Sequence, residues 1–449
     1  MNRLEVGKLI DPSIGVLQFE LPLDHIVVWM DSGKPEVIIC KHPNDIPPIW
    51  YKQFYNPWKI FGSFEKIKEV FPKFNIPPGS KVASFHSPVI IKIDFLQKSI
   101  QYQGKRQKRV AIVDDSPTMR KLLKHVIESF EGWSVVAELE NAESITKAIE
   151  DFYPDIVTLD LHLGEMNGVQ AMRETLAAKR IPTLIITSQS KADGSLVMDA
   201  LEAGALDYLQ KPDSGEWDKL KDDLLFKMES SLKSKWQTSG PSKKSSMVSV
   251  KGSNYRPDDF LILIGSSTGG TQALQEILTR LPQDIPPILI TQHIPAGFSR
   301  ALAERLNNLC PFEVKEAQDG DEIKPGRVLV APGDHHLRIS KNGKKVEIVD
   351  SDPVNRFRPS VDFMFKSAPD GLRQKIIATI LTGMGKDGAQ GMLELKQKGA
   401  FTIAQDEASS VVYGMPKEAA RIGAADAIKP LLDIPQHWLD LMSKMGNKT

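Results

Sequence analysis

From Lys108 to the C-terminus, short apolar runs alternate with helical stretches, and this alternation restricts the fold more than any other feature. Residues 110–113, 134–137, 156–159, 183–186 and 205–209 are such runs, several of them rich in Val and Ile. Runs this short, separated by helix-forming segments, are strands buried on both faces of a parallel sheet whose crossovers are helices. The spacing predicts about five βα units, ending near residue 230. A second α/β pattern starts near Phe260, with strands expected at 261–264, 288–291, 327–330 and 376–381. The expected architecture is two doubly wound parallel-sheet domains, the first flavodoxin-like.

Between the two patterns, residues 231–256 are rich in Ser, Gly and Lys, and no acid stands between Glu229 and Asp258. That composition reads as a flexible, positively charged linker. Residues 1–105 differ from both patterns. They hold Trp29, Trp50 and Trp58 of the seven tryptophans. Strands are expected at 26–29, 37–40 and 89–93, with a helix at 64–71 started by Ser63 and stopped by Pro72. The expectation is a small α+β domain of unknown role, with no paired acids or nucleophile–base set. The domains are therefore read as 1–105, 108–230 and 257–445.

Charge and cysteines narrow the function classes. Lys plus Arg and Asp plus Glu number 57 each, so the basic excess of a nucleic-acid binder is missing. The two cysteines, Cys40 and Cys310, have no metal-ligand spacing and fit reduced thiols. No signal core and no membrane-length apolar run is present, so a cytoplasmic protein without membrane insertion is expected.

Chemistry-bearing residues gather at strand ends in the first α/β region. Asp114 and Asp115 follow the first strand, Asp160 the third, Thr187 ends the fourth, and Lys211 follows the fifth. Ligands of doubly wound sheets sit at the carboxyl ends of strands. Three carboxylates brought together repel one another, and a hard divalent cation such as Mg2+ relieves this. The cation would also neutralise a phosphoryl group attacked by Asp160, with Lys211 pairing to the product. RVAIVDDSPTMRKLL, PDIVTLD, PTLIITS and AGALDYLQKP resemble the receiver domain of two-component response regulators over about 108–232. The resemblance implies Asp160 as phosphoacceptor, Asp114, Asp115 and Asp160 as magnesium ligands, and Thr187, Tyr208 and Lys211 as the switch residues. Leu163-Gly164 and Asn167-Gly168 stand where receivers usually carry Met-Pro and Asp-Gly.

The second region carries a nucleophile pattern. Gly265-Ser266-Ser267-Thr268-Gly269-Gly270 lies between a strand and a helix expected at 271–281, the setting of a strand–turn–helix nucleophile. A phosphate loop is the competitor, but its Gly-Lys-Ser/Thr ending is missing. His293 follows the next strand, and Asp387 lies in the glycine-rich loop after 376–381. The order Ser, His, Asp differs from that of ordinary α/β-hydrolases, though triad logic does not depend on order. His335-His336 is a metal alternative, disfavoured because neighbours on a strand point to opposite faces.

LILIGSSTGGTQAL, ITQHIPAGFS, VLVAPGDHHL, RPSVDFMF, LTGMGKDGAQGM and TIAQDEASSVVYGMP are similar to the catalytic domain of the chemotaxis methylesterase CheB over about 260–432. The family implies Ser267, His293 and Asp387 as the triad; Thr268 and Met384 are the oxyanion candidates. It implies hydrolysis of glutamyl methyl esters on methyl-accepting chemoreceptors and deamidation of receptor glutamines. A chemotaxis histidine kinase would be the phosphodonor, and the esterase reaction would need no cofactor. A response regulator with a DNA-binding output and a general lipase are the competing readings.

Overall fold

The structure is a computed structural model. It describes the backbone of eight strands between Leu9 and Gln103, and residues 108–152, 154–163, 168–176, 181–188, 193–211, 217–233 and 255–446. The N-terminal strands form two four-stranded sheets. One has the order β1 (Leu9–Asp11), β2 (Val16–Leu21), β7 (Val89–Asp94), β8 (Ser99–Gln103), paired antiparallel throughout. The other has the order β4 (Glu36–Cys40), β3 (Ile26–Met30), β5 (Lys59–Phe61), β6 (Val82–Ala83). The three strands expected from sequence are β3, β4 and β7. The helix expected at 64–71 lies outside the described residues.

The next sheet has five strands in the order β10-β9-β11-β12-β13. They are β9 (Lys108–Val113), β10 (Trp133–Leu139), β11 (Ile156–Leu159), β12 (Thr183–Thr187) and β13 (Asp207–Gln210). This is the flavodoxin-like order, with its switch point between β9 and β11. Ile112, Ile156, Leu184 and Ile185 are fully buried, as the continuous apolar runs require. Helix α1 (Pro117–Glu128) starts where Ser116 accepts the Met119 amide and Pro117 supplies the first helical φ. Then come α2 (Ile145–Phe152), α3 (Gly168–Ala171, continuing as a π turn), α4 (Asp193–Glu202) and α5 (Trp217–Lys233). The expected linker falls largely within 234–254, outside the described residues.

The last sheet is parallel, with seven strands in the order β16-β17-β15-β14-β20-β21-β22. They are β14 (Phe260–Ser266), β15 (Ile288–Gln292), β16 (Glu313–Glu316), β17 (Arg327–Val330), β20 (Lys375–Ile380), β21 (Phe401–Gln405) and β22 (Ala427–Lys429). A hairpin of β18 (His336–Ile339) and β19 (Val346–Val349) lies outside this sheet. The helices are α6 (Gly270–Leu278), α7 (Phe298–Leu309), α8 (Val361–Lys366), α9 (Ala389–Gln397), α10 (Met415–Arg421) and α11 (Ile434–Gly446). The chain leaves β14 for β15 on one side and later returns to β20 on the other. Crossovers on opposite sides of β14 open a crevice at its carboxyl end. Among the described residues, no helix is long and apolar enough to cross a membrane.

Strand β14 is buried along its whole length and runs through Ser266, two residues beyond the end expected from sequence. Three residues then turn the chain into α6. Gly269 makes the turn at φ 75°, where a Cβ would also lie 2.6 Å from Val411 Cβ. The strand end therefore delivers Ser267 directly into the crevice.

Candidate active site

Ser267 follows β14, His293 follows β15, and Asp387 lies in the loop after β20, so the flanking strands β15 and β20 bring a base and an acid to either side of the serine. Ser267 is 6% exposed and Asp387 0%, and the His293 side chain is largely covered while the residue as a whole is half-buried. The Ser267 amide donates to Thr382 O at 3.0 Å, which ties the nucleophile turn to the end of the β20 segment. Gly383 makes this approach possible, since a Cβ there would stand 2.7 Å from Ser267 Cβ. The His293 amide donates to Ser266 O at 3.0 Å, and Gln292 Nε2 donates to Ser267 O at 3.0 Å. These bonds join the serine turn to the histidine segment through backbone groups.

His293 Nε2 lies 2.8 Å from Asp387 Oδ2. Asp387 accepts four further bonds: from Asn355 Nδ2 (2.8 Å), Ser360 Oγ (2.8 Å) and the amides of Val361 (2.6 Å) and Asp362 (3.3 Å). Burial alone would push this carboxyl up, but the bonds from His293, Asn355 and Ser360 outweigh it and hold its pKa below the ordinary aspartate value. An ionised carboxylate only accepts, so Nε2 carries the shared proton and Nδ1 is left with a lone pair. Nδ1 is buried without a hydrogen-bond partner. Among the described residues no hydrogen bond joins it to Ser267 Oγ, and such bonds commonly tighten only once substrate binds.

The amides of Thr268 and Met384 donate no hydrogen bond among the described residues, whereas the Ser267 amide is already used. Thr268 and Met384 are thus available as oxyanion donors. His336 is not a ligand candidate. It is fully buried and stacked on Phe363, its Nδ1 accepts the Ser360 amide at 3.2 Å, and its Nε2 faces Asp352 O at 3.1 Å. Its neighbour His335 is exposed and precedes the strand, so the two rings do not come together on one ion.

In the five-stranded sheet, one oxygen each from Asp114, Asp115 and Asp160 lies within 4.8 Å of the others. Three hard oxygen donors at that separation suit a divalent cation such as Mg2+. Lys211 forms an ion pair with Asp160 Oδ2, and the Lys211 amide donates to Thr187 O at 2.8 Å. The Thr187 hydroxyl is buried without a partner. Tyr208 is 3% exposed, and burial, with Asp207 beside it, raises its hydroxyl well above the usual tyrosine range. Its ring packs against Phe298 at 4.9 Å, so the residue expected to switch touches the first turn of α7.

That contact is one of several between the last part of the five-stranded domain and the crevice. Thr268 Oγ1 donates to Asp207 Oδ2, and Ser230 Oγ meets the sulfur of Met384. Arg305 Nη1 donates to Asp199 at 2.8 Å and Arg305 also pairs with Glu202. Both oxyanion candidates are therefore touched from the other domain. Sequence reasoning missed Asn355, Ser360 and Phe357. Ser360 carried a usable signal: a serine before a short apolar helix reads as an N-cap, and it does cap α8.

Residues 110–220 match the response regulator receiver domain, and residues 262–438 match the CheB methylesterase family. A protein-glutamate methylesterase/protein-glutamine glutaminase of Bordetella parapertussis is 39% identical over 346 residues, covering 76% of this chain and 99% of the relative. A protein of the same description from Vibrio vulnificus is 41% identical over 342 residues, covering 75% and 99%. The solved catalytic domain of Thermotoga maritima CheB methylesterase shares 45% identity at a TM-score of 0.39, covering 40% of this chain and 98% of its own. Identity near two-fifths along almost the whole length of such relatives, through a receiver followed by a methylesterase domain, makes this chain a member of the CheB protein-glutamate methylesterase family.

Proposed function

We propose that the chain is a phosphorylation-regulated serine esterase that hydrolyses glutamyl methyl esters of chemoreceptors and deamidates receptor glutamines. The observation that carries this is the convergence of Ser267, His293 and an ionised, five-fold hydrogen-bonded Asp387 in one crevice. His293 Nδ1 takes the proton of Ser267 Oγ as the oxygen attacks the ester carbonyl. The imidazolium is stabilised by Asp387 through Nε2–H. The tetrahedral oxyanion is received by the amides of Thr268 and Met384. The C–O bond to methanol then breaks, with the proton passing from His293 to the leaving oxygen. Water, deprotonated by His293, hydrolyses the acyl-serine to glutamate and free serine. With glutamine the same steps expel ammonia.

Asp160 is the proposed phosphoacceptor, with a histidine kinase of the chemotaxis system as donor. Asp114, Asp115 and Asp160 would hold Mg2+, which supplies charge neutralisation for the incoming phosphoryl group. Lys211, already paired with Asp160, is positioned to stay on the modified side chain.

The test is methanol release from methyl-esterified receptor membranes. Ser267→Ala should abolish release while the fold persists. His293→Ala and the His293→Ala/Ser267→Ala double variant should cost about as much as the serine change alone, because triad members act as a unit. Near wild-type turnover in Ser267→Ala would sink the mechanism.

A further inference from the structure

Between the β18–β19 hairpin and α8, a two-residue turn joins Val354 to Phe357. The Val354 amide donates to Phe357 O at 3.1 Å, and the Phe357 amide to Val354 O at 2.9 Å. The two central residues, Asn355 (φ 54°) and Arg356 (φ 74°), both have left-handed backbone. Two successive positive φ values define the tight hairpin turn for which Asn-Gly is the easiest sequence. Here the second position is an arginine, a residue type seldom found in that region. A costly local conformation that neighbouring contacts hold in place is a reason to ask what the turn delivers.

It delivers two side chains to the triad. Asn355 Nδ2 donates one proton to Asp362 Oδ2 at 2.7 Å and the other to Asp387 Oδ1 at 2.8 Å. Both carboxylates are buried, Asp362 5% and Asp387 0% exposed. The two hydrogens of one amide nitrogen thus bridge two buried acids, and Asn355 is the one side chain among the described residues that donates to both carboxylates. Phe357 lies flat on His293, with centroids 3.7 Å apart and planes 8° from parallel. A single hydrogen bond through Nε2 leaves an imidazole free to tilt about that bond. A parallel ring on its face removes that freedom and so fixes the direction of the Nδ1 lone pair. Phe357 is only half-buried, so core filling is not its main service.

We propose that Asn355 and Phe357 are positioning residues of the esterase: the amide holds the Asp387 carboxylate, and the ring holds the plane of the His293 imidazole. The proposal rests on the esterase reading above. It extends the working set beyond the triad to one turn that grips acid and base together.

The experiment uses the full chain and methanol release from methyl-esterified receptor membranes. Asn355→Gly removes the amide while keeping a backbone that is at ease at positive φ. Phe357→Leu keeps an apolar side chain but no planar face, and Phe357→Tyr restores the plane. Asn355→Gly and Phe357→Leu should each lower kcat on the order of 10- to 100-fold, the cost of a misplaced catalytic group. KM should stay unchanged, because the positioning acts in the transition state and not in substrate binding. Phe357→Tyr should recover most of the wild-type kcat. Wild-type kcat in both loss variants, an effect confined to KM, or a loss in Phe357→Tyr equal to that in Phe357→Leu would overturn the proposal. Ser267→Ala, assayed alongside, separates the two levels: turnover persisting there overturns the esterase reading itself, whereas its loss beside unchanged turnover in the turn variants overturns only the positioning role.

Discussion

Asp387 has no exposed surface and is kept ionised by its donors, so its stabilising effect depends on pH in a defined direction. A carboxyl whose folded pKa lies below its unfolded value contributes stability that is fully present above about pH 4 and is lost as pH falls through the folded value. Asp387→Asn should therefore lower stability at pH 7 by about 1.5–3 kcal/mol, the usual worth of hydrogen bonds to a charged group. The difference between the two proteins should shrink as pH drops below about 4. Urea unfolding midpoints at pH 7 and in the acid range measure this. A difference that stays constant with pH would mean that the ionised form is not what the donors favour. Ser267, His293 and Asp387 were all legible in the sequence because each follows a recognisable apolar strand, and strand ends are where doubly wound sheets do chemistry. Asn355 and Phe357 were not. Their role depends on a turn with two left-handed residues, and Asn-Arg carries none of the Asn-Gly signal by which such turns are read.

At the scale of elements, the carboxyl ends of β9 and β11 are where phosphoryl chemistry is expected, since Asp114, Asp115 and Asp160 meet there. Asp160→Asn should remove labelling by a small phosphodonor, and chelation of divalent cation should do the same to the unaltered chain. Radiolabel retained at the normal level in Asp160→Asn would place the acceptor elsewhere. The order of β9 to β13 was legible because short buried strands and helices alternate, and crossover handedness leaves few arrangements for such a chain. Strand ends were less so. The fifth strand was expected at 205–209 but spans Asp207–Gln210, because Ala205 and Leu206 are buried without extending it and the Leu206 amide instead donates to Thr183 O. Helix α6 stops at Leu278 and not at 281, since Leu281 is buried by the turn that follows and not by a further helical turn. Burial makes an apolar residue look periodic whichever element carries it, so hydrophobicity alone overshoots boundaries.

At the scale of the molecule, a receiver followed by an esterase was legible in the motifs, but the contact between the two domains was not. A Ser- and Lys-rich segment specifies reach and leaves docking open. The contact is made by side chains that no periodicity marks: Asp207 on Thr268, Ser230 on Met384, Tyr208 on Phe298, and Phe226 tilted against Phe357 at 6.1 Å. Three of the four residues touched belong to the proposed oxyanion site or to the ring that backs His293. If these contacts cover the esterase site, phosphorylation would activate the enzyme by weakening them. Tyr208 links the two domains, since it lies on β13, the strand that Lys211 follows, and its ring packs on Phe298 of α7. Because the seven-stranded sheet has its own buried core, residues 257–449 should fold without the rest. Methanol release by that fragment should exceed release by the unphosphorylated full chain, and a phosphodonor with Mg2+ should speed the full chain and leave the fragment unchanged. A differential of a few kcal/mol between the two receiver states is enough to move the population from mostly covered to mostly open. If the fragment is no faster than the unphosphorylated chain, the docked receiver is not what restrains the esterase, and phosphorylation must then act by stimulating catalysis directly.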